Sequence, residues 1–202
     1  MSSSGATSWA SLAATSGAAV PDWRTTPFAD QRPGTSGLRK KVRAFQQPHY
    51  LENFLQSIFD CVPDLRAATL VIGGDGRYFN RTAIQTACAV AAGNGVGRIV
   101  IGQGGLLSTP AASHLIRKRG AKGGLLFTAS HNPAGPDGDF GIKFNIAGGG
   151  QANEGLTNRI YEASKSITRY RVFEGGQVDL DRHGLQTLGS TEIEVVDCVE
   201  DY

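Results

Sequence analysis

Apolar side chains recur at helical spacing from Tyr50 onward, with Leu51, Phe54, Leu55, Ile58 and Phe59 on one face and Pro63 closing the run. That spacing predicts a helix. ATLVIGGDG, residues 68–76, is by contrast a short continuous apolar run that ends on glycines, which is the pattern of a strand buried on both faces. The same alternation repeats twice more. Asn80 is expected to cap a helix carrying Ile84, Ala87, Cys88 and Ala91, stopped by the Gly93 to Gly97 cluster. Arg98 to Gly102 is a second buried strand, and a helix near Thr109 to Arg119 turns Leu115 and Ile116 inward and stops at Gly120. GGLLFTAS, starting at Gly123, is the third strand.

Strand and helix in alternation, joined by short glycine connections, imply crossovers between parallel neighbours. The fold class is therefore α/β, a three-layer αβα sandwich with a mixed, mostly parallel sheet. Gly141 to Ile146 follows Phe127 after a loop alone and is expected to return antiparallel. A further helix is predicted over Glu154 to Tyr170, with Leu156, Ile160, Ala163 and Ile167 on one face. Glu192 to Val196 is one more strand candidate, and a strand is expected to start near Gly34 in PGTSGLRKKV. The pattern lapses at the beginning of the chain: residues 1–24 are mostly Ser, Ala, Gly and Thr and are expected to form a disordered tail, leaving 25–202 as one domain.

Composition narrows the function. Of 202 residues 40% are hydrophobic, enough for a sizeable core. The balance of 20 basic against 18 acidic residues gives a net charge of +2, which argues against a nucleic-acid binder. The one basic run, Leu38 to Arg43, reads as a solvated strand face or as an anion site. Cys61, Cys88 and Cys198 are widely spaced, with no metal-binding spacing, and suit a reducing compartment. No run approaches the length of a membrane span, and the stretch before Trp23 has no Lys or Arg for a signal or transit peptide, so a cytoplasmic location is expected.

Candidate chemistry gathers at the strand exits, because ligands in open parallel sheets bind beyond the carboxyl ends of the strands. The exits are Gly73 to Arg77, Gly102 to Gly105 and Thr128 to Pro133, and the third alone offers a nucleophile beside a group able to move protons. Ser130 could be acylated or phosphorylated there with His131 orienting it, or its hydroxyl could simply form a turn before Asn-Pro. Lys143, in Gly-Ile-Lys-Phe-Asn, is placed on the same side of the sheet, where it could hold an anion or exchange a proton, or snorkel. Arg39 adds a planar fork suited to phosphate. Asp137-Gly138-Asp139 reads as a solvated turn rather than a metal loop, and no role is assigned to His49, His114 or His183. The G-x-G-x-x-G fingerprint and the P-loop are absent, which weighs against nucleotide binding.

These residues also form a recognisable set. TASHNP, from Thr128 to Pro133, resembles the active-site serine motif of the α-D-phosphohexomutase superfamily, and PGTSGLRKKV, LVIGGDGRYFN, IGQGGLLSTPA and GDFGIKFN are similar to its eukaryotic phosphoglucomutase branch. The resemblance runs from about Thr25 to Tyr202 and implies the first α/β/α domain of such an enzyme. It implies that Ser130 carries a phosphoryl group while glucose 1-phosphate and glucose 6-phosphate interconvert through glucose 1,6-bisphosphate. His131 and Lys143 would assist as catalytic residues, Arg39, Thr35 and Ser36 would bind the hexose phosphate, and Mg²⁺ would be bound through the Ser130 phosphate. Where the family reads NPGG, this chain has Pro133-Ala134-Gly135. The metal-binding Asp-Gly-Asp-Gly-Asp loop, the sugar-recognition loop and the C-terminal phosphate-binding domain of the family are not in these 202 residues. The resemblance therefore implies later domains that complete the site, and little turnover by this piece alone. A parafusin-like phosphoprotein, acting in secretion or scaffolding without catalysis, is the other role the resemblance allows.

Overall fold

Buried apolar strands pair side by side, and the amphipathic stretches between them carry the chain back across the sheet. The computed structural model describes residues 20–34 and 36–200. In chain order the elements are β1 (Asp22–Arg24), β2 (Leu38–Lys41), α1 (Val42–Phe45), α2 (Tyr50–Cys61), β3 (Thr69–Gly74), α3 (Asn80–Gly93), β4 (Arg98–Leu106), α4 (Thr109–Lys118), β5 (Gly123–Phe127), β6 (Asp139–Ile146), α5 (Glu154–Ser164), β7 (Arg169–Arg171), β8 (Gly184–Leu188) and β9 (Thr191–Val196). A seven-stranded sheet has the order β2-β6-β5-β3-β4-β9-β8. Strands β5, β3, β4 and β9 are parallel to one another; β6 runs against both β5 and β2, and β8 runs against β9. Five strands thus share one direction, which is the mixed, mostly parallel sheet predicted from the alternation.

The strands divide their side chains between two cores, as a period of two requires. Leu70 and Ile72 of β3, Ile99 and Ile101 of β4, and Leu125 and Phe127 of β5 join the larger core, which takes in α1, α2, α3 and α5. Val71, Val100 and Leu126 point to the other face and pack with Leu115 and Ile116 of α4. The outer layers are therefore unequal. At the centre of the larger core Phe140 is fully buried, edge-on to Phe45 (5.0 Å between ring centroids) and Phe79 (5.3 Å) and stacked on Phe127 (5.8 Å).

Several elements depart from the sequence pattern. The helix expected to reach Tyr170 stops at Ser164, and Arg169–Arg171 instead forms β7, paired with β1. The cause is long-range: Asp22 reaches Arg169 and Arg171, each at 3.5 Å, and Trp23 Nε1 donates to Glu174 at 3.0 Å. β1 takes the last residues of the expected tail, whose residues 1–19 lie outside the described ones. Asn80 opens α3 but does not cap it, because its amide is drawn sideways to the Gly105 carbonyl at 3.2 Å and Phe79 makes the turn with φ of 76°. The strand expected near Gly34 begins only at Leu38, since Gly34 and Gly37 first close a tight turn on each other's backbones.

Truncating Phe140 to Ala should lower unfolding free energy by about 3–5 kcal/mol, read from urea midpoints, because three rings lose their common partner. A loss below about 1 kcal/mol would mean that the aromatic cluster collapses to refill the space.

Candidate active site

The parallel register of β3 with β5 sets Gly74 opposite Phe127, so Asp75 to Arg77 and Thr128 to Ser130 leave the sheet as neighbours. Ordinary strand geometry ends there. Asp75 N donates to the Phe127 carbonyl at 3.1 Å and Thr128 N to the Gly141 carbonyl at 2.9 Å, after which the chain turns sharply at Ser130 with φ of 55°. A left-handed backbone is uncommon for a residue with a side chain. It aims the exposed Ser130 hydroxyl away from the strand.

Two cations converge on that hydroxyl. Arg39, brought in by the pairing of β2 with β6, donates from Nη2 to Ser130 Oγ at 2.9 Å. Lys143 on β6 places Nζ 3.5 Å from the same oxygen. Gly141 lets Arg39 lie flat across β6, because a Cβ there would stand 3.1 Å from Arg39 Cγ and 2.4 Å from the Thr128 carbonyl oxygen. Lys143 is buried, and burial is the main cause that lowers its pKa, with the Arg39 charge adding to it and Asp75 opposing it. Its ammonium is thus made readier to give up a proton than an exposed lysine's.

Behind the serine lies an ion-paired frame. Burial alone would raise the Asp75 carboxyl, but hydrogen bonds from Arg77 and Thr128 more than offset it, and the carboxyl sits below its ordinary range. Thr128 Oγ1 donates to Asp75 at 2.6 Å and accepts from Ser130 N at 2.9 Å. Across the loop, Asp139 is bonded by Lys41 at 2.8 Å and by the Asn132 amide at 2.9 Å, and the Lys41 bond is the largest cause of its lowered pKa.

The structure brings Ser130, Arg39 and Lys143 together, and it places His131 beside them in sequence with an exposed side chain. Ser36 lies in the turn before β2, next to a shallow basic pocket lined also by Arg32, Arg39 and Lys40; Thr35 lies outside the described residues. Ala134 does not adopt a positive φ, whereas Gly135 does (108°), so the loop accepts alanine at the first position. The second strand exit is tied to neighbouring segments, Gly104 N donating to the Leu180 carbonyl at 2.7 Å and Leu107 N to that of Gly74 at 2.8 Å. Asp75, Arg77 and Thr128 are the members that sequence reasoning missed. The available signal was their place at the first and third of the three strand exits, Gly73 to Arg77 and Thr128 to Pro133.

The residues present do not by themselves fit a magnesium ion. Asp75 is engaged by Arg77 and Thr128, Asp139 by Lys41 and Asn132, and no group of three or more His, Cys, Asp or Glu able to hold a metal occurs among the described residues. Nor is any helix among them long and apolar enough to cross a membrane.

Residues 30–171 match the family described as phosphoglucomutase/phosphomannomutase, alpha/beta/alpha domain I. The chain is 56% identical over 177 residues to a phosphoglucomutase of Emericella nidulans, covering 87% of this chain and 32% of the relative. It is 54% identical over 179 residues to one from Rhizobium radiobacter, covering 89% and 33%. Among solved structures, the open form of the exocytosis-sensitive phosphoprotein pp63/parafusin (phosphoglucomutase) from Paramecium superposes with a TM-score of 0.87 at 44% identity, over 91% of this chain and 36% of that one. The chain therefore spans about a third of the length of the curated relatives it matches.

Two outcomes follow from the geometry. Ser130→Gly should be more stable than Ser130→Ala by about 1–2 kcal/mol in urea titrations, since glycine alone relieves the left-handed backbone. Because the Asp75 carboxyl is lowered by folding, its contribution is complete above the ordinary carboxylate range and fades as pH falls through the folded value. The stability gap between the parent and Asp75→Asn, followed by urea midpoints against pH, should be widest above about pH 5 and narrow below about pH 4.

Proposed function

The chain belongs to the phosphoglucomutase/phosphomannomutase family through its alpha/beta/alpha domain I, and on that premise we propose that Ser130 is the phosphoryl carrier in the interconversion of glucose 1-phosphate and glucose 6-phosphate. The observation that carries this reading is a single exposed hydroxyl between two cations, Arg39 Nη2 at 2.9 Å and Lys143 Nζ at 3.5 Å. Phosphoryl transfer asks little covalent chemistry of a protein. It asks for position and for positive charge where oxygens become more anionic.

In the proposed cycle the phosphorylated Ser130 gives its group to a free hydroxyl of a glucose monophosphate. The Oγ–P bond breaks, a new P–O bond forms on the sugar, and the sugar's proton ends on Ser130 Oγ. The resulting bisphosphate turns over and returns its other phosphoryl group to Ser130, and the proton travels back to the sugar. Arg39 holds the serine oxygen and the charge that develops on it. Lys143, with its lowered pKa, is suited to relay the proton, and its charged form to offset the phosphoryl oxygens. His131, which is exposed, Ser36 on the turn before β2, and Thr35 would contact the hexose phosphate. The family resemblance implies Mg²⁺, and no step is assigned to it because the carboxylates near Ser130 are already engaged. Cys61, Cys88 and Cys198 are free thiols, which supports a reducing, cytoplasmic setting. The Paramecium protein bears both the parafusin and the phosphoglucomutase names, so likeness to it does not favour a non-catalytic role.

Incubating the chain with glucose 1,6-bisphosphate labelled with ³²P should place acid-stable label on the peptide that contains Ser130. Ser130→Ala should take none, and Arg39→Ala or Lys143→Met should be labelled at least about 10²-fold more slowly. Label of equal extent in Ser130→Ala, or none in the parent at saturating donor, would overturn the assignment.

A further inference from the structure

Arg77 is the most deeply buried arginine in the site, only 9% exposed, and nothing in the proposed cycle uses it. Its planar fork makes contacts in three directions. Nε spans both Asp75 oxygens at 3.0 Å, Nη1 donates to the Asp139 carbonyl at 2.7 Å, and Nη2 donates to the Ser130 carbonyl at 2.9 Å. Those carbonyls stand at the two ends of the loop that leaves β5 and enters β6. One guanidinium thus spans the mouth of the serine loop.

The same ion pair reaches the other side of the Ser130 backbone. Asp75 holds Thr128 Oγ1 at 2.6 Å, and Thr128 Oγ1 accepts from Ser130 N at 2.9 Å. Both the N–H and the C=O of Ser130 are therefore tied to one Asp-Arg unit. A left-handed non-glycine residue persists only where its surroundings over-determine it, and here they do so from both ends. The span between Ser130 and Asp139 also sets where β6 begins, and β6 carries Lys143.

We propose that Arg77 is a positioning residue: with Asp75 and Thr128 it locks the Ser130 backbone in its left-handed turn and fixes the width of the loop, so that the hydroxyl is presented to Arg39 and Lys143. Arg77 is not a phosphate-binding cation, since its charge is answered by Asp75 and its donors are directed to carbonyls. Lysine in its place would keep the charge but could not bridge two carbonyls while holding a carboxylate. The effect on rate rests on reading Ser130 as the phosphoryl carrier; the effect on backbone conformation does not.

The test compares the full 202-residue chain with Arg77→Lys and with Thr128→Val, which cuts one link of the frame and disturbs packing less. Two readouts are taken on each: the rate of ³²P transfer from glucose 1,6-bisphosphate to Ser130 against donor concentration, and the Ser130 ¹³Cα and ¹³Cβ shifts and amide exchange by NMR. Arg77→Lys should lower the maximal rate by about 10²-fold while the half-saturating donor concentration stays within about twofold. Its Ser130 shifts should leave the left-handed range and its Ser130 amide should exchange at least about tenfold faster, with the shifts of Ile72 and Leu125 in the core unchanged. Thr128→Val should move every readout in the same direction by less, and it stands as the test if Arg77→Lys does not fold. Unaltered Ser130 shifts and exchange in the folded variants would overturn the proposal, as would a rate loss expressed wholly as weaker donor binding. A parent chain that takes no label overturns the function proposed for Ser130 instead, and the NMR readout then decides the role of Arg77 by itself.

Discussion

Two positive groups, Arg39 and Lys143, are held against one neutral hydroxyl, and most of what surrounds them is needed to keep that arrangement in place. Like charges this close repel, and burial adds to the cost for Lys143. The sheet supplies the restraint. Arg39 and Lys143 lie on adjacent antiparallel strands, and Ser130 follows the next strand over, so two backbone ladders set the spacing. Asp75 offers partial electrostatic relief from behind without taking the hydroxyl's place, because Arg77 and Thr128 occupy its oxygens. The result is a recess in which two cations face Ser130 Oγ while the Asp75 carboxylate behind them is bonded to Arg77 and Thr128.

The thicker side of the sheet explains why such a recess can be stable. The core around Phe140 joins α1, the start of α3 and strands β5 and β6 through one aromatic cluster, directly beneath the turn that bears Ser130. Strain in the turn is set against a rigid base. The second strand exit is held in another way, by Gly104 N donating to the Leu180 carbonyl at 2.7 Å, close to where Arg81 pairs with Asp181 at 2.7 Å.

Much of this was legible in the sequence where the signal was local. The central strands, α2, α3, α4 and the antiparallel return at Gly141 follow from periodicity and glycine punctuation, and Ser130, Lys143 and Arg39 stand out by residue type and position. What escaped was decided at a distance. Tyr170 has the spacing of a helix residue, yet Asp22 and Trp23, far away in sequence, draw its neighbours into a strand. Asn80 looks like a cap until Gly105 claims its amide. Asp75 and Arg77 lie at a strand exit that the sequence marks, but their importance lies in bonds to Thr128, Ser130 and Asp139, which a linear pattern cannot place beside them.

The loop from Ser130 to Asp139 combines a pinned mouth with an exposed tip. Pro133, Ala134, Pro136 and Asp137 face solvent, whereas the stems are held by Arg77, Asn132 and Lys41. Stiffness and variability are thus assigned to different residues of one short segment. Over evolutionary time the tip is where a lineage could change what the loop brushes against, adding bulk or charge, while the Ser130 hydroxyl stays where it is.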